Sequence, residues 1–187
     1  SNYYSFNTPN RILHAIKYSR DVAVFSGKGV FGKLLAFFQP NNNLLSLRRL
    51  SIKKSDSLLD VGCGVGNEIN LLKHMGYDNV FGVDPYIKES IYINGELLVQ
   101  KQEVLDIVDR QFKFITMHHS FEHVISPYDV LNKLKLLLAD GGKIMIRIPL
   151  AQSFAFEKYG IHWVQFDAPR HTFLHTETSI QFMCEQL

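Results

Sequence analysis

The sequence predicts an α/β fold in which a mostly parallel sheet carries helices on both faces. Three observations lead to this prediction. From Ser57 onward, short apolar segments of strand length alternate with segments whose apolar residues recur at helical spacing. A glycine-rich turn over residues 62–66 follows the first apolar strand, and Asp84 closes the second. Strands that alternate with helices imply right-handed crossovers and therefore a doubly wound sheet.

The individual elements follow from local patterns in chain order. Leu58–Val61 is predicted to be a buried strand, and the helix after the glycine turn ends at Gly76. A second strand covers residues 80–84. The other predicted elements are a short helix with Ile87 and Ile91, a weak strand near residues 98–101, a strand over residues 112–117, a helix from Pro127, a strand over residues 143–148, and a helix that begins at Thr176 with Ser179 in its first turn.

Residues 1–50 form a separate N-terminal helical segment, and residues 51–187 form the α/β domain. Two short helices are expected between residues 11 and 39, and a third over residues 42–50. The segment is rich in aromatic residues, which we interpret either as a lid over a bound substrate or as the packing of its helices. These residues are Tyr3, Tyr4, Phe6, Phe25, Phe31, Phe37 and Phe38.

Composition restricts the class of protein. The formal net charge of +2 gives no bulk attraction to nucleic acid or to an anionic membrane. No apolar run approaches the length of a membrane span, and no signal peptide opens the sequence. The two cysteines, Cys63 and Cys184, have no metal-type spacing, which is typical of a cytoplasmic protein.

The glycine turn and Asp84 together predict a site for a nucleoside cofactor. Ligands of doubly wound sheets bind at the carboxyl ends of the strands, where glycines let the ligand approach the backbone. Asp84 lies 18 residues beyond Gly66, where its carboxylate would accept hydrogen bonds from ribose hydroxyls. A purely structural strand-to-helix turn is the alternative interpretation. The G-x-G-x-x-G spacing of nicotinamide oxidoreductases is absent, so that class is disfavoured.

Residues 59–66, Leu-Asp-Val-Gly-Cys-Gly-Val-Gly, resemble the first motif of class I S-adenosylmethionine-dependent methyltransferases, which have a Rossmann-like fold. The resemblance implies that the glycine backbone packs on the methionine and ribose, with Asp60 near the methionine amino group. Asp84 would bind the ribose, and Pro85, Tyr86, Glu103 and Val104 would flank the adenine. The full set of predicted cofactor-binding residues is Asp60, Gly62, Cys63, Gly64, Gly66, Asp84, Pro85, Tyr86, Glu103, Val104 and His118.

The family sheet has the strand order 3-2-1-4-5-7-6, and this sequence reaches its last residue in the helix after strand five. We therefore expect the order 3-2-1-4-5 without the last two family strands, in a C-terminally incomplete domain. Strand five would then lie at an open edge of the sheet. We expect this edge to be covered by a partner chain (such as a second copy in a homodimer), by the lid region or by a crystal contact.

The second half of the sequence is rich in histidine. Residues 121–124, Phe-Glu-His-Val, and the later order of Trp163 and Pro169-Arg170-His171 resemble bacterial methyltransferases that modify small molecules and saccharides. Related ubiquinone-pathway and small-RNA enzymes hold a divalent metal at this place. By that resemblance, the metal ligands here would be His119, Glu122, His123 and His171, the first three sharing a helical face.

A metal-free site is the alternative. His123 or His171 would then act as a general base, with Glu122 as its catalytic partner. In a third interpretation, Glu122 and His123 have only a structural role and stabilise the floor of the pocket. The Asn/Asp-Pro-Pro-Tyr/Phe motif of amino-directed DNA methyltransferases is absent after the fourth strand, which favours an oxygen acceptor on a small molecule or saccharide and argues against nucleic acid. A non-catalytic or truncated cofactor-binding domain is the remaining alternative.

Overall fold

Helices of the N-terminal region are placed as the sequence predicts. The computed structural model describes residues 11–187, so Tyr3, Tyr4 and Phe6 of the predicted aromatic segment lie outside the described residues. The described residues form two compact units, divided between Lys53 and Lys54. The first unit contains helices α1 (Arg11–Ser26), α2 (Val30–Phe38) and α3 (Asn42–Arg49). Gly32 lets α2 pack closely on α1, because a Cβ atom there would lie 2.3 Å from the Ser19 carbonyl oxygen.

The second unit is built on one sheet, which confirms the α/β class. Its strands are β1 (Leu58–Val61), β2 (Val80–Val83), β3 (Ile91–Ile93), β4 (Glu96–Gln100), β5 (Phe112–His118) and β6 (Leu138–Arg147), in the order β3-β4-β2-β1-β5-β6. All neighbouring pairs are parallel except β3 and β4. The predicted order 3-2-1-4-5 therefore corresponds to β4-β2-β1-β5-β6, with β3 added at one edge.

Strand β3 corrects the prediction of a short helix with Ile87 and Ile91. Ile93 pairs with Glu96 across a two-residue turn, and both turn residues have positive φ, 51° at Asn94 and 81° at Gly95. Asn-Gly is the preferred dipeptide of such tight hairpin turns, because both residues tolerate left-handed backbone. The hairpin signal was present in the sequence, and it outweighs the spacing of two isoleucines.

The second unit also contains four α-helices among the described residues. They are α4 (Asn67–His74), α5 (Pro127–Leu137), α6 (Phe154–Tyr159) and α7 (Glu177–Glu185). Thr176 caps α7 as predicted, since its side chain accepts from the Ser179 amide and the Ser179 hydroxyl accepts from the Thr176 amide. The main core lies between the sheet and α5, and Met183 of α7 joins it.

Strand β6 lies at the second edge of the sheet and pairs only with β5 among the described residues. Its first pairing, Leu138 with Phe112, is separated by a register shift from the regular pairing that begins at Lys143. The residues skipped by the shift are 139–142, which include Asp140, Gly141 and Gly142. Within residues 11–187, no helix is both long enough and apolar enough to cross a bilayer.

Candidate active site

The glycine turn lies at the carboxyl end of β1 and has a backbone that only glycine adopts without strain. Gly62, Gly64 and Gly66 have φ values of 72°, 57° and 73°. A Cβ atom at Gly62 would lie 2.3 Å from the Ser120 Cβ, and one at Gly66 would lie 2.4 Å from the Val99 Cγ2. Gly64 has open space beside it, so its requirement is conformational. The turn therefore packs directly on the segment that follows β5.

Asp84 at the end of β2 holds the turn in place. One carboxylate oxygen, Oδ2, accepts a hydrogen bond of 2.8 Å from the Gly64 amide, and Oδ1 accepts one of 2.8 Å from the Tyr86 amide. The side chain is buried. Each carboxylate oxygen retains further acceptor capacity, which is the chemistry needed to bind ribose hydroxyls. Sequence reasoning gave Asp84 a ligand role and missed its bond to the turn.

Asp60 is buried within β1, and its Oδ1 accepts a hydrogen bond of 2.8 Å from the Thr116 hydroxyl. Burial raises the pKa of Asp60 from 3.8 to about 7, with smaller raising effects of Glu68 and Asp84 and a lowering effect of the Thr116 bond. Thr116 is a residue that sequence reasoning missed. The available signal was its polarity inside an apolar strand, directly opposite Asp60 in the sheet register.

The residues predicted to flank the adenine have different degrees of burial. Tyr86 is exposed over 83% of its surface and Pro85 is half-buried. Glu103 is exposed, whereas Val104 begins a short 3-10 helix and packs into the core. Cys63 packs against Gly82, since a Cβ atom at Gly82 would lie 2.5 Å from the Cys63 Sγ. Burial raises the pKa of the Cys63 thiol.

His118 ends β5 beside the glycine turn. Both of its ring nitrogens are buried and have no hydrogen-bond partner among the described residues. Burial, with smaller contributions from the positive charges of Arg147 and His119, lowers the pKa of His118 to about 4. The imidazole is therefore neutral at physiological pH and offers one donor and one acceptor to a ligand.

The segment after β5 is not an α-helix. The predicted helical face shared by His119, Glu122 and His123 therefore does not form. His119 has a φ of 51°, and only Phe121–His123 form a single 3-10 turn. A left-handed residue at this point stops helical continuation from the strand. His119 Nδ1 nevertheless lies 3.5 Å from Glu122 Oε1, while His123 faces another segment, with its Nδ1 2.8 Å from the Arg170 carbonyl oxygen.

Glu122 is the centre of this half of the site. It is only 1% exposed, and neither carboxylate oxygen has a hydrogen-bond partner among the described residues. Two imidazole nitrogens lie close to Oε1: His119 Nδ1 at 3.5 Å and His171 Nε2 at 3.9 Å. A buried carboxylate without hydrogen bonds is costly, so Glu122 is a candidate to bind a ligand, a metal or a proton.

The backbone explains how residues 50 positions apart meet here. The amides of Thr172 and Phe173 donate to the Glu122 carbonyl oxygen at 2.9 and 3.3 Å, and the Thr172 hydroxyl donates to the His123 carbonyl oxygen at 3.3 Å. The rings of His123 and His171 consequently lie 4.8 Å apart in an edge-to-face arrangement. These bonds place the Pro-Arg-His segment over the 3-10 turn.

Three of the four predicted metal ligands come together. Ligand atoms of Glu122, His123 and His171 all lie within 4.8 Å of one another. Among the described residues, His119 does not belong to this group. The bond from His123 Nδ1 to the Arg170 carbonyl leaves Nε2 as the free ligand atom. Asp167 Oδ2 lies 3.9 Å from His171 Nε2, a neighbour that sequence reasoning did not assign.

His175 is a further residue that sequence reasoning missed. It is buried, its ring stacks on Phe121 with centroids 5.2 Å apart, and its Nε2 has no hydrogen-bond partner in the described part of the chain. Burial lowers the pKa of His175, and the Glu122 charge opposes this effect. No spacing in the sequence distinguishes His175 from a packing residue.

Solved structures share the fold. A SAM dependent methyltransferase from Archaeoglobus fulgidus is 20% identical, with a TM-score of 0.61 over 84% of this chain and 73% of that one. The YcgJ protein from Bacillus subtilis is 14% identical, with a TM-score of 0.60 over 76% of this chain and 65% of that one. This chain thus spans less than two thirds of the length of YcgJ.

A third structure covers nearly the whole chain. Magnesium protoporphyrin IX methyltransferase from Synechocystis, solved with bound SAH, is 15% identical, with a TM-score of 0.55 over 98% of this chain and 79% of that one.

No protein with a curated function matches the sequence significantly. The family model described as "Methyltransferase domain" matches residues 36–187. Because this match covers most of the chain, the chain belongs to the methyltransferase domain family.

Proposed function

We propose that this domain transfers a methyl group from S-adenosylmethionine to a hydroxyl oxygen of a small molecule or saccharide. The observation that carries the proposal is the buried Glu122 carboxylate beside His171, directly after the segment that packs on the glycine turn. A base is needed for a hydroxyl acceptor, because a neutral alcohol is a weak nucleophile. The absence of an amino-directed motif after β5 also favours oxygen.

The cofactor half of the site consists of the turn, Asp84 and Asp60. S-adenosylmethionine supplies a methyl group that is already activated by its sulfonium. Asp84 would bind the ribose hydroxyls while it keeps its bond to Gly64. Asp60, held by Thr116, would lie near the methionine amino group, as the family resemblance implies. The protein then mainly supplies alignment and exclusion of water.

His171 is the base that we favour over His123. His171 Nε2 lies 3.9 Å from both Glu122 Oε1 and Asp167 Oδ2, so two carboxylates stabilise the charge that the ring gains with a proton. His123 is already bonded to the Arg170 carbonyl and positions the segment. As the carbon–sulfur bond breaks and the acceptor oxygen bonds to the methyl carbon, His171 takes the hydroxyl proton.

A divalent metal is the second way in which the same residues would serve this reaction. Glu122, His123 and His171 offer one carboxylate and two imidazoles, a donor set that suits zinc, iron or manganese. The unpartnered Glu122 oxygens and the bond that fixes His123 fit such a site. The metal would lower the pKa of the acceptor hydroxyl.

An acceptor panel tests the proposal. The purified protein is incubated with labelled S-adenosylmethionine and paired small molecules or saccharides that differ only in a hydroxyl or an amine. We expect methylation of hydroxyl compounds, reduced by at least about 100-fold in His171→Asn and unchanged in the matched exposed-site variant His162→Asn. Methylation of the amine partners alone would overturn the oxygen assignment. Cofactor binding without transfer to any acceptor would favour the non-catalytic alternative.

Metal removal and metal analysis distinguish a metal-free His171 base from a metal-dependent site. We expect the metal-free version to keep its activity after dialysis against a chelator. If activity is lost and returns with zinc or manganese, and if His123→Gln lowers the bound metal while His162→Gln does not, the metal version is correct instead.

A further inference from the structure

Charge is divided unevenly between the two compact units. Residues 1–53 contain eight Lys or Arg and one acidic residue, a formal charge of +7, whereas residues 54–187 contain twelve basic and seventeen acidic residues, a formal charge of −5. The near-neutral total thus conceals a strongly basic unit. Such asymmetry is typical of a protein region that meets an anionic surface.

Helix α2 of this basic unit carries large apolar side chains on its exposed side. With 3.6 residues per turn, five of them fall within an arc of about 120° on one face of the helix. The opposite side is occupied by Gly32, which packs on α1. The exposed residues, which we call the α2 apolar face, are Val30 (88% exposed), Phe31 (60%), Leu34 (57%), Phe37 (80%) and Phe38 (78%).

Basic side chains border this face. Lys28 lies two residues before the first residue of α2, and Lys33 lies about 40° around the helix from Phe37; both are exposed. Phenylalanine and leucine beside lysine on a short exposed helix is the pattern of a helix that lies in the headgroup region of a membrane. The apolar side chains enter the acyl boundary while the lysines contact anionic headgroups.

Charge also decides between the possible occupants of the face. Two copies that met through α2 would bring two units of +7 together, which opposes self-association. A nucleic acid would satisfy the positive charge but would leave most of a continuous apolar face exposed to water. An anionic lipid surface satisfies both features at once.

We propose that the N-terminal unit docks the protein on anionic membrane surfaces, with the α2 apolar face inserted at the headgroup boundary and Lys28 and Lys33 on the lipid phosphates. The attachment is peripheral, through one short helix that lies in the plane of the surface. It is independent of the methyl-transfer proposal, because it uses no residue of the candidate active site. It revises the expectation, drawn from the total charge, that no membrane is involved.

Vesicle co-sedimentation of the intact chain tests the proposal. We expect binding to vesicles of phosphatidylcholine and phosphatidylglycerol in equal parts, little binding to phosphatidylcholine alone, and weakening by salt. The double variant Phe37→Ser/Phe38→Ser is expected to bind about tenfold or more weakly, and Lys28→Gln/Lys33→Gln about tenfold more weakly. Circular dichroism and thermal melting establish that each variant is folded.

Matched controls lie in the other unit. Val108→Ser/Leu136→Ser removes two equally exposed apolar side chains, and Lys88→Gln/Lys143→Gln removes two exposed lysines. Neither pair should change vesicle binding. The proposal is overturned if the wild type does not bind vesicles, if neutral and anionic vesicles bind equally, or if the control pairs weaken binding as much. It is also overturned if sedimentation velocity shows a dimer that Phe37→Ser/Phe38→Ser dissociates, or if the protein binds RNA instead of vesicles.

Discussion

The two halves of the candidate active site differ in how their polar groups are satisfied. In the cofactor half, both oxygens of Asp84 accept backbone amides and Asp60 accepts the Thr116 hydroxyl. In the acceptor half, Glu122 and one nitrogen each of His171 and His175 are buried without hydrogen-bond partners among the described residues. Asp84 therefore holds the glycine turn through hydrogen bonds within the protein. The Glu122 carboxylate has no such bonds among the described residues, and neither has the His118 ring beside the turn, so these groups retain polar atoms that a ligand or water would satisfy.

The difference assigns a separate role to each half. An unsatisfied buried polar atom costs about 1–3 kcal/mol, so the acceptor half reduces stability in return for reactive groups. Substitutions in the cofactor half should change binding or stability. Substitutions in the acceptor half should change turnover.

The largest effect is expected from Glu122→Gln. The amide keeps the size of the side chain but removes the negative charge that supports protonated His171, so turnover should fall about 10²- to 10⁴-fold. S-adenosylhomocysteine affinity, measured by calorimetry, should stay within about twofold. Glu185→Gln, at an exposed position of α7, is the matched control. A parallel loss of cofactor affinity in Glu122→Gln would show that the halves are not separate.

Asp60→Asn should change how stability depends on pH. The folded pKa of about 7 lies above the usual 3.8, so the folded state binds the proton more tightly and stability falls as pH rises from about 4 to 7. Asparagine removes this loss and still accepts the Thr116 bond. Thermal melting of the ligand-free protein should therefore find the Asp60→Asn variant equal to or less stable than wild type near pH 4, and more stable by up to about 4 kcal/mol above pH 7. A difference independent of pH would contradict the assigned pKa.

Two alanine variants of the glycine turn separate the cost of its backbone conformation from the cost of a steric contact. Gly66→Ala combines a positive φ with a Cβ contact of 2.4 Å to Val99, so it should cost about 2–3 kcal/mol of stability. Gly64→Ala has the same backbone constraint without a close neighbour and should cost about 1 kcal/mol. Denaturant unfolding measures both variants. Equal costs would mean that Val99 moves aside freely.

A pH-dependent effect smaller than that of Asp60→Asn is expected from His118→Gln. The folded pKa of about 4 lies below the usual 6.5, so stability is present above pH 6.5 and is lost as pH falls to about 4. Because the side chain is partly exposed, the loss should be about 1–2 kcal/mol in wild type and absent in the variant, as followed by thermal melting. His162→Gln, at an exposed position, should retain the wild-type pH dependence.

Sequence reasoning was most successful where the determinants are local. The glycine turn, Asp84 and the strands around them are specified by contiguous residues, and the α/β class and strand order followed. It was wrong at Ile91, because the Asn94-Gly95 turn, which the spacing of two isoleucines does not take into account, makes this segment a hairpin strand. The spacing argument for His119 also failed, because a left-handed residue after β5 is not visible as a periodicity.

The acceptor half depends on contacts that a linear sequence does not display. Glu122 meets His171 because backbone amides of residues 172 and 173 donate to the Glu122 carbonyl. Such bonds involve no particular side chain, so residue types alone do not predict them. His175 and Asp167 enter the site only through this pairing, and Thr116 only through the register of β5 with β1.

The central claim is that the turn and Asp84 form an S-adenosylmethionine site that is independent of the acceptor half. Calorimetric titration with S-adenosylhomocysteine tests it most directly, on wild type, Asp84→Asn, His171→Asn and the exposed control Asp140→Asn, with NAD as the competing ligand. We predict that wild type, Asp140→Asn and His171→Asn bind S-adenosylhomocysteine, and that the affinity of Asp84→Asn is lower by about tenfold or more. We predict that NAD does not bind to the wild type. Unchanged affinity in Asp84→Asn, or binding of NAD by the wild type, would contradict the account.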